Sequence, residues 1–145
     1  MSHANPFQLA TEHWRSCGVP LLPPASEDEI ERTFAKLSHP LSNDIRRLYS
    51  ATGGFADHEV DGLWSLWSLR QIVQENIDRD SHILWFADFL ICSHMYGFQF
   101  VTTESSAVVV DHNISTHPPY VVADSVEEFI EKYLDNPENV EALNF

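Results

Sequence analysis

The sequence predicts an α+β fold, a single domain with helices packed on a central, mainly antiparallel sheet. Three observations carry this. Apolar residues at helical spacing dominate the first half of the chain, and alternating or β-branched runs gather between residues 82 and 122. Three Ser-x-x-Glu/Gln boxes, beginning at Ser26, Ser68 and Ser125, mark helix starts. Helices followed by a run of neighbouring strands and a closing helix are the order expected of an α+β layer arrangement.

The elements follow in turn. Residues 6–17 form a short helix with Phe7, Leu9, Ala10, His13 and Trp14 partly periodic, ended by Gly18. Val19-Pro20-Leu21-Leu22-Pro23-Pro24 is too rich in proline for a helix or a central strand. It reads as an extended connector whose leucines pack on the core. Ser26-Glu27-Asp28-Glu29 opens a helix over about 26–38, with Ile30, Phe34 and Leu37 inward and three acids suited to its positive N-terminus. A helix over about 42–52 buries Ile45, Leu48, Tyr49 and Thr52, and Gly53-Gly54 stops it.

Phe55 to Gly62 is an acidic loop, and Leu63-Trp64-Ser65-Leu66 a strand. Ser68-Leu69-Arg70-Gln71 caps a helix over 68–78, with Trp67 placed to staple onto Ile72. His82 to Cys92 is a strand with a break expected near Asp88. Tyr96, Phe98 and Phe100 alternate with Gly97, Gln99 and Val101 in a half-buried strand. A turn at 102–106 leads to Ala107-Val108-Val109-Val110, β-branched and central in the sheet. A polar loop over 111–119 precedes the strand Tyr120-Val121-Val122. Ser125-Val126-Glu127-Glu128 opens the closing helix, 125–134, and a helical scrap is expected as far as Leu143. The expected core includes Ile45, Leu48, Phe86, Phe98, Phe100, Phe129 and Ile130.

The chain has 145 residues, 43% of them apolar, which is ample for a real core and excludes a disordered chain. The start, Met1-Ser2-His3-Ala4-Asn5-Pro6, lacks a basic segment followed by an apolar stretch, so no secretory signal is expected and a cytoplasmic location is. Cys17 and Cys92 show no metal or redox spacing and read as reduced thiols, with a disulfide left open.

Charge separates the function classes. Eight Lys and Arg against 22 Asp and Glu give a formal charge of −14. Such a surface repels nucleic-acid backbones and anionic lipid, and attracts basic proteins. No nucleophile elbow, phosphate loop or catalytic cysteine signature occurs, so no catalytic residue is assigned and the chain is not read as an enzyme. Asp111-His112 and His117 lie in a proline-bounded loop at a spacing no zinc helix uses. They are expected to be solvent-exposed, and neither a metal nor any other cofactor is expected. Arg46-Arg47 is the one basic pair and is expected to balance acids.

Three segments together resemble the Smi1/Knr4, or SUKH, superfamily over roughly residues 20–134. They are Pro40-Leu41 with the following helix and Thr52-Gly53-Gly54-Phe55; Leu63-Trp64-Ser65-Leu66-Trp67-Ser68-Leu69 with Leu84-Trp85-Phe86-Ala87-Asp88; and the close Val121-Val122-Ala123-Asp124-Ser125-Val126-Glu127-Glu128-Phe129-Ile130. Thr52 stands where the family usually has Asn, and Leu and Pro are inverted at 40–41. The resemblance implies a binding protein with no shared catalytic residues. Many bacterial members are immunity proteins that neutralise a protein toxin, often a nuclease, in toxin–antitoxin or polymorphic toxin systems; eukaryotic relatives are regulatory scaffolds. The expected partner is therefore a basic protein toxin, with a regulatory scaffold as the alternative and a metal-dependent hydrolase as a more distant one. The expected contact residues are Asp57, Glu59, Asp61, Asp78, Asp80 and Asp88, with Trp67 as an aromatic anchor beside them.

Overall fold

The computed structural model describes residues 5–56, 59–61, 64–79, 82–89, 94–112 and 118–136. Three helices come first: α1 (Pro6–Ser16), α2 (Glu27–Lys36) and α3 (Asn43–Ala51). Then follow β1 (Trp64–Leu66), α4 (Leu69–Asn76), β2 (Ile83–Phe89), β3 (His94–Phe100), β4 (Ser106–Asp111), β5 (Tyr120–Ala123) and α5 (Val126–Asp135). The strands form one antiparallel sheet in sequence order, β1-β2-β3-β4-β5. The predicted α+β class is what is observed.

Local chemistry sets the helix starts. Ser26 accepts from Glu29 N, Ser68 from Gln71 N, and Ser125 from Glu128 N, the three boxes visible in the sequence. At the last of these Glu128 also reaches back, to Asp124 N. Asn5 caps α1 through Phe7 N, with Pro6 in the first turn, where its missing N–H costs nothing. Gly54, at φ +107, ends the turn after α3, and its Cα lies so close to Ser68 that a Cβ would sit 2.7 Å from that backbone. Leu21 bridges to Phe55 and packs on the core, whereas its neighbour Leu22 is exposed, so only one of the two connector leucines behaves as expected.

Strand β2 runs unbroken through Asp88, and its irregularity lies two residues earlier. The register slips between Trp85 and Ala87, and the Phe86 carbonyl accepts from Trp67 N at 2.9 Å. That bond continues the β1–β2 register and ties the start of α4 to the sheet, while Phe86 is the extra residue of a bulge on the β3 side. Phe86 turns inward and stacks on Phe98, with ring centroids 3.9 Å apart. Strand β3 is buried on both faces at its middle, because Trp85 and Ile83 lie over Gly97, where a Cβ would meet Ile83 at 2.3 Å. Phe100, expected in the core, is only half-buried at the strand end. The other expected core residues are buried. The helical scrap expected toward Leu143 lies outside the described residues.

The interior is one contiguous cluster rich in rings. Trp64 is its centre: it approaches Trp14, Phe55, Tyr96, Phe129 and Tyr133. Among the described residues no helix is long and apolar enough to cross a membrane.

A polar knot holds the third helix against the sheet and the last helix. Asp44 is buried, and its carboxyl accepts from Ser106 N at 3.1 and 3.2 Å, from Val126 N at 2.9 Å and from the Ser42 hydroxyl. Ser42 therefore spends its side chain on Asp44 and Ser106 and does not cap its own helix. Removing the carboxyl leaves buried N–H groups without acceptors, each costing about 1–3 kcal/mol. Asp44→Ala is expected to lower stability by about 3 kcal/mol or more, read as a fall in urea midpoint at unchanged m-value. Asp28→Ala, removing an exposed acid at the same turn of a neighbouring helix, is expected to change it by less than about 0.5 kcal/mol.

Candidate functional site

The expected contact residues divide into three groups. Trp67 and Asp88 are interior: the indole is 0% and the aspartate 8% exposed, and Trp67 Nε1 donates to Asp88 Oδ2 at 2.8 Å. A buried indole N–H needs an acceptor, and Asp88 supplies it. This pair fastens the α4 start to β2 and offers a partner no surface. Asp57 and Asp80 lie outside the described residues. Glu59, Asp61 and Asp78 remain at the surface.

These three do not form one patch. Trp64, three residues after Asp61, pairs with Phe89 at the far end of β2. Asn76, two residues before Asp78, bonds the backbone of Trp85 in both directions, at 2.8 and 3.0 Å. Four residues, about 13 Å of strand, separate Trp85 from Phe89. Glu59 and Asp61 therefore belong to one end of the molecule and Asp78 to the other.

The Glu59 end carries more than charge. Asp61 Oδ2 lies 3.1 Å from His13 Nε2 and accepts from the Tyr133 hydroxyl, so the loop is pinned to both α1 and α5. Trp14 Nε1 donates to the same Tyr133 oxygen at 3.3 Å. Burial, reinforced by the Asp61 carboxylate, raises the Tyr133 phenol above its usual value, so it remains a donor. Ser65 Oγ donates to the Glu59 carbonyl at 2.9 Å and leaves the Glu59 carboxylate in solvent. Two apolar side chains stand in water here, Leu9 at 42% and Val60 at 44% exposure. Leu9 is one turn from His13 on the same face of α1, and Glu12 is exposed on the same turn. The surface made by α1 and residues 59–61 thus combines exposed apolar groups with unsequestered acids, the composition of a binding anchor within a charged rim. The sequence pointed to acids of this loop and not to α1, because nothing local links His13 to a loop 48 positions away.

On the helices α2, α3 and α5 some acids and bases pair. Arg46 bonds Glu27 and, at 2.9 Å, Glu31; Arg47 meets Glu127 at 3.2 Å and lies over the Phe7 ring. The basic pair does balance acids, as expected. His112 is buried, not solvent-exposed: its Nε2 lies 2.9 Å from the Tyr120 hydroxyl, and its ring meets His94 edge-on. The reason is position, since His112 directly follows β4 and stacks on the neighbouring strand's Tyr120. His117 lies outside the described residues, as does Cys92.

A cavity of about 530 Å³ opens between the α2–α3 connection and the β2–β3 edge, lined by Leu37, His39, Arg79, His82, Gln99 and Phe100. Burial holds the His39 imidazole below its usual value; the Pro40, His82 and Phe98 carbonyls partly offset this, and the His82 ring adds to it. His94 is lowered in the same sense, by burial and then by His112.

A model of the SMI1 / KNR4 family (SUKH-1) matches residues 24–132. No curated protein matches the chain. The matched segment begins after α1, so the helix that completes the Glu59 surface lies ahead of the family's common part.

The two lowered imidazoles fix the sign of a pH effect. Unfolding restores each to about 6.5, so the unfolded chain takes up protons first as pH falls. The stabilisation from keeping them neutral is complete above about pH 6.5 and is lost as pH drops through the lower folded values. The urea midpoint is expected to fall from about pH 7 to about pH 5.5, and His39→Gln to flatten part of that decline.

Proposed function

The chain belongs to the SMI1/KNR4 family (SUKH-1), and from that membership we propose that it is an immunity-type binding protein that neutralises a basic protein toxin of the nuclease class by forming a complex with it. SUKH domains are often immunity proteins, which supports the reading. The observation that carries it is the charge: −14 overall, with acids on α1, α2, α4 and the 59–61 segment held out in water. A nuclease must present a cationic surface to its phosphate substrate, and an acidic protein competes for that surface. Complementary fields raise the rate of encounter, while desolvated apolar contacts slow dissociation. Leu9 and Val60 beside Glu12 and Glu59 supply both components at one place, so that end is taken as the contact surface.

Capture with tagged protein from its native cell, at about 50 and about 200 mM salt, tests the function. One stoichiometric basic protein held at both salts, whose activity the purified chain abolishes, is the expected result. Partners that all wash off at the higher salt would leave the acidity as a solubility device and remove the proposal's support. With the partner in hand, Glu59→Lys is expected to weaken binding about tenfold at low salt, and Leu9→Ala to speed dissociation. Asp78→Lys is expected to change affinity less than about threefold; the reverse ranking would move the interface to the other end.

A further inference from the structure

The Glu59 end holds a second arrangement that protein binding does not call for. His13 and Cys17 are four residues apart at the C-terminal end of α1, so their side chains stack on one face. Cys17 Sγ lies 4.0 Å from both ring nitrogens of His13, and His13 Nε2 lies 3.1 Å from Asp61 Oδ2. One donor atom from each of the three lies within 4.8 Å of the others.

We propose that His13, Cys17 and Asp61 form a binding site for a divalent transition ion of the zinc type, with one imidazole, one thiolate and one carboxylate as ligands and a fourth position open to water. Tetrahedral zinc with nitrogen and oxygen ligands at about 2.0–2.1 Å sets those ligands about 3.3 Å apart, and a nitrogen–sulfur pair about 3.6 Å apart. The observed 3.1 Å and 4.0 Å separations bracket these values, and the thiol and carboxylate lie within 4.8 Å of each other, so the exposed Cys17 side chain has to close in by up to about 1.2 Å to reach tetrahedral spacing. The donor chemistry fits zinc, since thiolate and imidazole together disfavour magnesium and calcium. A supporting shell is already built: the Tyr133 hydroxyl donates to Asp61, and Trp14 donates to Tyr133. His13 is partly exposed and Cys17 is at the surface, which leaves the ion a way in. On binding, the thiol gives up its proton to solvent, and the imidazole carries its own on Nδ1, freeing Nε2 for the metal. The ion then clips α1 to the 59–61 segment across 48 positions of sequence.

The site stands independently of the toxin reading and is tested without a partner. The reduced full chain is titrated with cobalt(II), whose absorption reports both geometry and thiolate ligation. The expected result is saturation at one ion per chain, with intense visible bands of a four-coordinate ion and a near-ultraviolet thiolate-to-cobalt band, all bleached by added zinc. Cys17→Ser is expected to abolish the thiolate band with the fold intact by circular dichroism, and His13→Ala to weaken binding at least about tenfold. Tyr133→Phe is expected to weaken it about tenfold by freeing the carboxylate, as outer-shell changes do. Absence of saturable binding, or a thiolate band that survives in Cys17→Ser, would overturn the site.

Discussion

Asp44 places a carboxyl group almost out of reach of water and surrounds it with donors from its own helix entry and from two distant parts of the chain. Ser42 belongs to the entry of α3, Ser106 to the first residue of β4, and Val126 to the first turn of α5. Removed from solvent, such a group is tolerated only when its oxygens are satisfied, so the three segments must arrive together. The adjoining backbone repeats the demand: Asn43 N and Asp44 N donate to the Thr103 and Glu104 carbonyls of the β3–β4 turn. The helix N-termini of α3 and α5 thereby meet at the same end of the sheet, where their positive ends favour an acid. The aromatic cluster then packs against a frame whose orientation the polar groups have set. Rings supply most of the burial, but they tolerate several arrangements; hydrogen bonds with fixed directions do not.

The same division of labour recurs at smaller scale. Tyr49 donates to the Trp67 carbonyl at 2.9 Å, Trp67 donates to Asp88, and Trp67 N donates to the Phe86 carbonyl. One tryptophan thus joins α3, the start of α4 and the bulged part of β2. Asn76 does the equivalent at the other end of α4, by pairing with both backbone groups of Trp85. Helix α4 is only eight residues long and gains little from its own hydrogen-bond ladder. Its two ends are held by tertiary bonds, which is how so short an element keeps a fixed place.

What was legible in the sequence follows from range. The boxes at Ser26, Ser68 and Ser125 act within four residues, so pattern alone located three helix starts. The β-branched run of β4 and the alternation in β3 likewise depend on neighbours in sequence. Ser42 and Asp44 lie beyond that range: both are committed to Ser106, more than sixty positions away. Asp88 and Trp67 meet through the β1–β2 pairing, which sets Ser65 opposite Asp88, and no local pattern in the sequence gives that register. His13 and Asp61 share no local pattern at all.

Charge explains the remainder of the surface. A formal charge of −14 on a chain of this size favours expansion, and acids crowded on one face would aggravate it. The fold distributes them instead. Glu27 and Glu31 share Arg46, Glu127 takes Arg47, and Lys132 lies 3.4 Å from Glu128. These contacts engage three of the chain's eight Lys and Arg residues. Glu12 and Glu59 have none assigned to them among the ion pairs of the described residues. They stand at the end where Leu9 and Val60 are also left in water. An element outside the family-matched segment, α1, completes that end. Exposed acids and exposed apolar side chains therefore coincide at the end that α1 and residues 59–61 make, while Asp61 there is tied inward to His13 and Tyr133.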